Sequence, residues 1–257
     1  MLSLNEIKTF YPEHLHAFPR FLLREYLQYK ILEIVFNGTH GSRLSFIGGT
    51  CLRIIHGNQR FSEDLDFDHF NLTPDDFARV AEEIEKQLTQ EGYVVQLRHV
   101  YRGAYHCYIR FPRLLYDSGL SGHIEEKILI QIDTEAQHFD FTPEPVLLNR
   151  FDVFTTILMT PLPILLAQKY YAILNRSRAK GRDLFDVIFL HSKTQPDYTY
   201  LAQKAKIADA STLKSAILHR LESLNVKELA NDVQPFLFNP AAIDRIEQFP
   251  AFIQQTL

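Results

Sequence analysis

The hydrophobic periodicity of this sequence changes near residue 150, and that change restricts the chain to a fold in which a sheet is followed by helices. From residue 44 to residue 133, short segments of alternating apolar and polar residues are separated by turn residues, which predicts about five strands and two helices. After residue 152, apolar residues recur at helical spacing. A run of strands followed by a run of helices is typical of an α+β protein.

The predicted elements divide the chain into two parts. The predicted strands cover 44–47, 65–68, 93–98, 105–111 and 127–133. The predicted helices cover 1–35, 50–56, 74–91, 162–175, 183–190, 198–208 and 212–221. The segment that holds Pro143 and Pro145 is predicted to be a linker. We therefore predict a core with an N-terminal helix over residues 1–150 and a helical domain over residues 151–257.

Composition and charge exclude several classes of protein. Hydrophobic residues make up 46% and charged residues 23% of the 257 residues, which excludes a disordered or fibrous chain. The net charge of −4 excludes a uniformly basic nucleic-acid binder, so any contact with nucleic acid must use a local patch. Two cysteines, Cys51 and Cys107, cannot form a disulfide framework. Since no segment resembles a signal peptide or has the roughly 20 apolar residues of a membrane span, we expect a soluble cytoplasmic protein without a membrane partner.

Two carboxylates that lie two residues apart are the first indication of chemistry. Asp64 and Asp66 lie on a predicted strand, where alternation places both side chains on one face. Their charges repel unless a cation lies between them, and hard oxygen ligands suit Mg²⁺ or Mn²⁺. Asp133 ends a later, apolar strand and can complete the set. Three carboxylates from two adjacent strands can hold two divalent ions about 3.5–4 Å apart, the arrangement used for in-line phosphoryl transfer.

A glycine pair precedes the acidic strand. Gly48 and Gly49 follow the strand 44–47 and lead into the next helix, so the backbone there can approach a phosphate group and offer its N–H groups. A glycine pair alone and two spaced aspartates alone are weak indications. Their occurrence together, with a third aspartate on an apolar strand, indicates a catalytic site more strongly than either feature does alone.

A second polar cluster lies in the helical half of the sequence. Lys169 interrupts an otherwise apolar helix, so it either extends to solvent or reaches into a site, where it needs an anionic partner such as Asp186 or Asp64. Asp183 and Asp186 lie one helical turn apart and share a face, although Asp183 can also serve as a helix cap. Four basic residues surround this turn and form either a solvated loop or a contact with triphosphate or RNA phosphate. They are Arg176, Arg178, Lys180 and Arg182.

Both clusters lie in strings that resemble a known family. The strings GGTCLRIIHGNQRFSEDLDFDHF and QKYYAILNRSRAKGRDLFDVIFL resemble the AbiEii/AbiGii toxin-like nucleotidyltransferases over about residues 44–190. The resemblance implies a polymerase-β-like nucleotidyltransferase fold with a helical C-terminal part, and NTP binding with Mg²⁺. It also implies the toxin of a type IV toxin–antitoxin pair, which has an antitoxin partner and transfers nucleotides to an RNA, such as a tRNA 3′ end, or to a protein hydroxyl.

The resemblance further implies roles for three groups of residues. They are Ser62, Asp64, Asp66 and Asp133 for metal and triphosphate; Gly48, Gly49 and Thr50 for the glycine stretch; and Lys169, Arg182, Asp183 and Asp186 for the helical motif. The three aspartates would hold the metal, and together with Lys169 they would be catalytic. Cys51 stands where the family commonly has a small Ala, and the segment 98–122 has no counterpart in the family pattern.

Two other classes of function stay open on the sequence alone. A catalytically silent module that binds nucleotide or an antitoxin would keep the fold, but it would usually have lost Asp64, Asp66 or Lys169, and all three are present. A metal-dependent phosphohydrolase or nuclease could use the same carboxylates, although the His and Asp metal motifs expected of one are missing. The intact set of residues favours a transferase.

Overall fold

The computed structural model describes residues 1–102 and 104–257, and these form two compact units. The first unit contains residues 1–51 and 62–159, and the second contains residues 52–61 and 160–257. No helix in the described part of the chain is long and apolar enough to cross a membrane.

A mixed sheet forms the centre of the first unit, and it has seven strands within residues 1–102 and 104–257. The strands are β1 (Leu44–Ile47), β2 (Leu65–His69), β3 (Gln96–Arg102), β4 (Ala104–Phe111), β5 (Ile128–Glu135), β6 (Glu144–Arg150) and β7 (Val153–Met159). They lie in the order β3-β4-β5-β2-β1-β7-β6. β2 is parallel to β5 and β1 is parallel to β7, whereas the other neighbours are antiparallel. The sheet and its helices confirm the predicted α+β fold.

The first unit also contains several α-helices. They are α1 (Leu4–Thr9), α2 (Pro19–Asn37), α3 (Gly48–Ile54), which continues into the second unit, α4 (Pro74–Gln90) and α5 (Leu114–Asp117). α4 begins with a capping box, since the Thr73 hydroxyl accepts the Asp76 amide and the Asp76 carboxylate accepts the Thr73 amide. Pro74 occupies the first turn, where its missing N–H costs nothing. This start is the one that the sequence predicts.

Helices also make up most of the second unit. They are α6 (Leu162–Asn175), α7 (Gly181–His191), α8 (Tyr198–Ala205), α9 (Ala210–Glu222), α10 (Val226–Val233), α11 (Asp244–Glu247) and α12 (Phe249–Thr256). The segment 52–61 joins this unit through backbone hydrogen bonds. The Phe61 amide donates to the Phe236 carbonyl at 2.8 Å, and the Phe238 amide donates to the Gln59 carbonyl at 3.3 Å. The unit is therefore built from two segments that are far apart in the sequence.

Strands β6 and β7 differ from the sequence prediction, which places a linker at Pro143 and Pro145. The chain forms an antiparallel hairpin there, and the division between the units falls after Met159. β6 lies at the edge of the sheet, where a proline such as Pro145 is tolerated because its missing N–H need not serve a ladder. The proline-containing segment is therefore part of the sheet.

A histidine of the second unit should make the protein sensitive to acid. The Nε2 atom of His56 is buried and has no hydrogen-bond partner among the described residues. Burial, together with the charge of Lys193, lowers the pKa of His56 from its ordinary value of 6.5 to about 4. The unfolded chain therefore binds this proton at a higher pH than the folded protein does. Stability should fall as the pH falls below the ordinary value.

Because of the lowered pKa of His56, we expect the free energy of unfolding to fall by about 2 kcal/mol between pH 7 and pH 5, since each pKa unit corresponds to about 1.4 kcal/mol. Urea denaturation of the wild type and of His56→Gln at both pH values measures this loss. The variant should lose much less stability on acidification, whereas His14→Gln, at an exposed histidine, should behave like the wild type. An equal loss in the wild type and His56→Gln would contradict the expectation.

Candidate active site

The register of three neighbouring strands aligns two of the predicted carboxylates. Asp66 on β2 pairs with Asp133 on β5, and on its other side it pairs with Ile47 at the end of β1. Residues directly opposite each other on neighbouring strands project to the same face of a sheet. Asp66 and Asp133 are therefore neighbours on one face, next to the end of β1.

Asp64 lies just before β2, because the strand begins at Leu65. The sequence prediction assumes that strand alternation fixes the direction of the Asp64 side chain. Because Asp64 lies outside the strand, alternation does not fix it. Leu65 and Phe67 are buried, as expected for residues that face the core. Asp68 is buried as well, although alternation assigns it to the face of Asp66. Asp66 is thus the aspartate of this motif that the sheet places beside Asp133.

Gly48 lies directly against the Asp66 carboxylate. It begins α3 and has a φ of +76°, a conformation that residues with a side chain rarely adopt. A Cβ atom on Gly48 would lie 2.2 Å from Oδ2 of Asp66, far inside van der Waals contact. The turn after β1 therefore needs a glycine both for its backbone conformation and for the space that the carboxylate occupies. Gly49 follows it and is buried.

Replacing Gly48 with alanine should displace the Asp66 carboxylate. We expect Gly48→Ala to lower the free energy of unfolding by about 1–3 kcal/mol, the usual cost of a strained backbone conformation, and to reduce transfer activity more than the remaining folded fraction explains. Urea denaturation and an initial-rate assay on the same preparation measure the two effects. Gly57→Ala is the matched control, because Gly57 also has a positive φ but its Cβ would meet nothing within 4 Å. An equal loss of activity in both variants would mean that backbone strain causes the loss, and not displacement of the Asp66 carboxylate.

The segment around the acidic motif is held by side chains that bond to its backbone. Thr50 is buried, and its hydroxyl donates to the carbonyl of Asp64. The amide of Gln28 donates to the carbonyls of Ser62 at 3.1 Å and Glu63 at 2.9 Å. Thr50 is therefore committed to supporting the backbone. Ser62 itself is partly exposed.

Asp133 is held by two neighbours on its own sheet face. Nδ1 of His106, on β4, lies 2.6 Å from Oδ1 of Asp133. The Gln131 amide lies 2.8 Å from Oδ1 and 2.9 Å from Oδ2. No motif in the sequence singles out His106 or Gln131. Each lies on a predicted strand, however, and the alternation of side chains along these strands could have indicated them.

The chemistry of these carboxylates suits a hard divalent ion. Among residues 1–102 and 104–257, no three Asp, Glu, His or Cys side chains form a ready-made metal site. Asp66 and Asp133 nevertheless provide hard oxygen donors side by side on one face, which is the donor type that Mg²⁺ and Mn²⁺ prefer. The aligned pair therefore fits such an ion in its chemistry.

In the second unit, Lys169 of α6 lies between two aspartates of α7. Its Nζ atom lies 3.0 Å from Oδ1 of Asp183 and 2.8 Å from Oδ2 of Asp186. The Lys169 side chain is only 14% exposed. Of the two carboxylate partners that the sequence offers for this lysine, Asp186 and Asp64, the lysine binds Asp186. Asp183 is its second partner.

Asp186 also binds Arg60, which sequence reasoning missed. The Asp186 side chain is 0% exposed, and it accepts from Nε of Arg60 at 2.8 Å and from Nη2 at 2.6 Å. The Asn58 amide donates to the same carboxylate at 2.8 Å. Arg60 is itself 1% exposed, so this is a buried ion pair with bidentate geometry. Its place in the string RFSEDLDF was the one available indication.

The charges of this cluster keep one another ionised. Burial acts to raise the pKa of Asp186, but Arg60 and Lys169 lower that pKa from 3.8 to about 2. Burial also acts to lower the pKa of Lys169, but Asp186 and Asp183 raise that pKa above its ordinary value. Lys169 and Asp186 are therefore both charged at neutral pH.

The neighbouring basic residues divide between structural and exposed positions. Nη1 of Arg176 lies 2.8 Å from Oδ2 of Asp183, so Asp183 joins two cations and does not cap α7, whose N-cap is Lys180. The Arg182 guanidinium lies 4.9 Å from the centre of the Phe236 ring in a cation–π contact. Arg176 and Lys180 are exposed residues, as is Arg178 between them. The basic run is thus partly solvated and partly bound to this cluster.

The chain is similar to solved structures that share its fold. MenT4, a nucleotidyltransferase toxin from Mycobacterium tuberculosis, has a TM-score of 0.57 and 16% identity, covering 99% of this chain and 90% of that chain. JHP933 from Helicobacter pylori has a TM-score of 0.55 and 15% identity, covering 92% of this chain and 91% of that chain. At these identities the similarity shows the fold alone.

A family model identifies the chain more directly. No curated protein matches the sequence at a significant level. The model of the nucleotidyl transferase AbiEii toxin of type IV toxin–antitoxin systems matches residues 30–252. That range contains the glycine turn, the carboxylates of the sheet and the charged cluster around Lys169. The chain is therefore a nucleotidyltransferase that belongs to the AbiEii toxin family of type IV toxin–antitoxin systems.

Proposed function

We propose that this enzyme transfers a nucleoside monophosphate from an NTP to a hydroxyl group of an RNA, with the 3′ end of tRNA as the preferred acceptor. The alignment of Asp66 and Asp133 on one sheet face, with Gly48 against the Asp66 carboxylate, carries the proposal. Carboxylates next to a backbone turn can bind a triphosphate together with a divalent ion.

In this proposal, Asp64, Asp66 and Asp133 hold Mg²⁺ or Mn²⁺. When bound, the ion would neutralise charge that develops on the phosphate oxygens. The acceptor hydroxyl attacks the α-phosphorus in line, a new P–O bond forms, and the bond to the β-phosphate breaks to release pyrophosphate. Asp133 takes the proton of the attacking hydroxyl. The contribution of the protein is mainly to position the reacting groups.

The triphosphate would be bound by neutral donors and by cations. The Ser62 hydroxyl and the backbone N–H groups of Gly48 and Gly49 would donate to phosphate oxygens. Lys169 would act as a compact point charge on the triphosphate. Its position between Asp183 and Asp186 gives it an anionic partner before the nucleotide arrives.

Asp183, Asp186 and Arg182 would serve the substrate through Lys169 and its surroundings. The two aspartates hold the Lys169 ammonium group, and Arg182 adds a second positive charge from the first turn of α7. The contact between Arg182 and the Phe236 ring supports this guanidinium from one side. We propose that these three residues, with Lys169, determine the net charge next to the bound phosphates.

A local basic patch supports an RNA acceptor. The chain as a whole carries a net charge of −4, yet Arg176, Arg178 and Lys180 are exposed within five consecutive residues. Exposed Lys and Arg side chains bind the phosphate backbone without regard to sequence. We propose that this patch binds the acceptor RNA.

Family membership supports a cognate antitoxin as a protein partner. Type IV toxin–antitoxin systems are the systems to which the family model belongs. We propose that the enzyme acts in the cytoplasm, where both NTP and tRNA are present. The two cysteines, Cys51 and Cys107, are buried free thiols, which agrees with a reducing compartment.

Incubation of the protein with each labelled NTP, total RNA and Mg²⁺ tests the proposal. We expect one NTP to label a tRNA-sized RNA at its 3′ end, and we expect chelation of the metal to stop the labelling. Label on a protein would replace RNA with a protein hydroxyl as the acceptor. Release of phosphate or shortened RNA without transfer would instead indicate a phosphohydrolase or nuclease.

A further inference from the structure

We propose that His106 positions Asp133 for nucleotidyl transfer, an inference that rests on the proposed function of the Asp66–Asp133 pair. His106 on β4 lies directly opposite Asp133 on β5, and Asp133 lies directly opposite Asp66 on β2. The three side chains therefore form one row across three adjacent strands, on one face of the sheet. His106 lies in the segment 98–122, outside the two sequence strings that carry the family resemblance. Within that segment, Gly103 lies outside the described residues.

The hydrogen bonds around Asp133 fix the direction of its carboxylate. Since a carboxylate can only accept, Nδ1 of His106 carries the hydrogen and donates to Oδ1 over 2.6 Å. The Gln131 amide donates to both oxygens, at 2.8 and 2.9 Å. Gln131 reaches the same face because it lies two residues before Asp133 on one strand. Donors on two sides therefore restrict rotation of the carboxylate.

Stability alone does not explain this contact. The side chains of His106 and Asp133 are each 28% exposed, and a partly exposed pair of this kind contributes little to the free energy of unfolding. Water could satisfy both groups if they were separated. What water cannot supply is a fixed orientation of the carboxylate oxygens toward Asp66 and toward an incoming hydroxyl.

Gln131 alone would leave the carboxylate less constrained. Its amide bonds come from a flexible side chain on the same strand as Asp133, whereas the His106 ring has two side-chain torsions and comes from the neighbouring strand. A ring donor from a separate strand adds a second, stiffer constraint on Oδ1 to the contacts that Gln131 makes with both oxygens. His106 is therefore the residue whose removal should matter most for the orientation of Asp133.

Three variants separate positioning from a merely structural role. His106→Phe keeps an aromatic ring and removes the donor, whereas His106→Asn restores an N–H group near the place of Nδ1. Tyr108→Phe is the matched control, because Tyr108 is two residues further along β4 on the same face and lies opposite Gln131. For each protein we would measure kcat and KM for the NTP, the affinity for Mn²⁺ alone by calorimetry, and the melting temperature.

We expect His106→Phe to lower kcat by about 10–100-fold and the Mn²⁺ affinity by about 10-fold, the usual effect of removing a group that orients a metal ligand. KM for the NTP and the melting temperature should change little. His106→Asn should recover most of kcat and of the Mn²⁺ affinity. Tyr108→Phe should match the wild type in every measurement.

Unchanged kcat and Mn²⁺ affinity in His106→Phe would overturn the inference. So would a loss of activity that follows a lowered melting temperature and is the same in His106→Phe and His106→Asn. If the wild-type protein transfers no nucleotide, the proposed function fails. In that case the Mn²⁺ titrations of the wild type and the three variants still decide whether His106 orients Asp133.

Discussion

An Asp66→Asn variant should fold like the wild type and lose nucleotidyl transfer almost completely. Asp66 lies beside Asp133 on the sheet and against Gly48, so the amide occupies the same space with one negative charge fewer. We expect the rate to fall on the order of 1,000-fold, since preorganised electrostatic groups commonly account for effects of this size. The variant should be at least as stable as the wild type, because repulsion between neighbouring carboxylates is relieved. Initial rates with labelled NTP and RNA, together with urea denaturation, measure both effects.

Glu135→Gln provides the matched control for this variant. Glu135 is an exposed carboxylate two residues beyond Asp133 on β5, and it undergoes the same chemical change. We expect it to keep full activity and stability. Full activity of Asp66→Asn in the presence of Mg²⁺ would remove Asp66 from the mechanism, and equal losses in both variants would point to the general charge of the sheet face.

Replacing Arg60 with methionine should destabilise the protein more than any surface substitution. Arg60 and Asp186 are 1% and 0% exposed, and removal of one partner leaves the other charge buried. We expect a loss of about 3–5 kcal/mol in the free energy of unfolding, the usual cost of breaking a buried ion pair from one side. Lys169 still binds Asp186 at 2.8 Å, so the loss should lie at the lower end of that range. Urea denaturation measures it.

Arg20→Met is the control, because it removes an arginine from an ion pair at the surface. The Arg20 side chain is 51% exposed in its pair with Glu126, and such pairs contribute about 0–1 kcal/mol. A loss in Arg60→Met no larger than the loss in Arg20→Met would contradict the importance of the buried pair for stability.

The pH dependence of this loss has a definite sign. The folded pKa of Asp186 is lowered from 3.8 to about 2, so its contribution to stability is present above the ordinary value and disappears as the pH falls through the folded value. Loss of Arg60 removes the cation that lowers this pKa most, so the stability difference between the wild type and Arg60→Met should be largest near neutral pH and should shrink as the pH falls and Asp186 becomes protonated. A difference that grows as the pH falls would contradict this sign.

The sequence by itself determined the local elements and the chemical character of the motifs. Helix α4 begins at Pro74, directly after its N-cap Thr73, because its capping residues lie within three positions of one another. Helix α6 covers the predicted range because its apolar residues recur at helical spacing. Strand alternation likewise placed Leu65 and Phe67 in the core. Each of these features depends on neighbours within a few residues, so periodicity and capping preferences are sufficient to predict it.

Only the tertiary structure decided which of these elements meet. Asp186 pairs with Arg60 across 126 residues of sequence, and the His106–Asp133 bond depends on the register of β4 against β5. The β6–β7 hairpin lies in the sheet because β7 pairs with β1, which overrides the local preference of Pro143 and Pro145 for a linker. Strand register and buried ion pairs are stabilised by partners distant in sequence. Local patterns therefore identified the aspartates, whereas long-range pairing selected the residues that hold them.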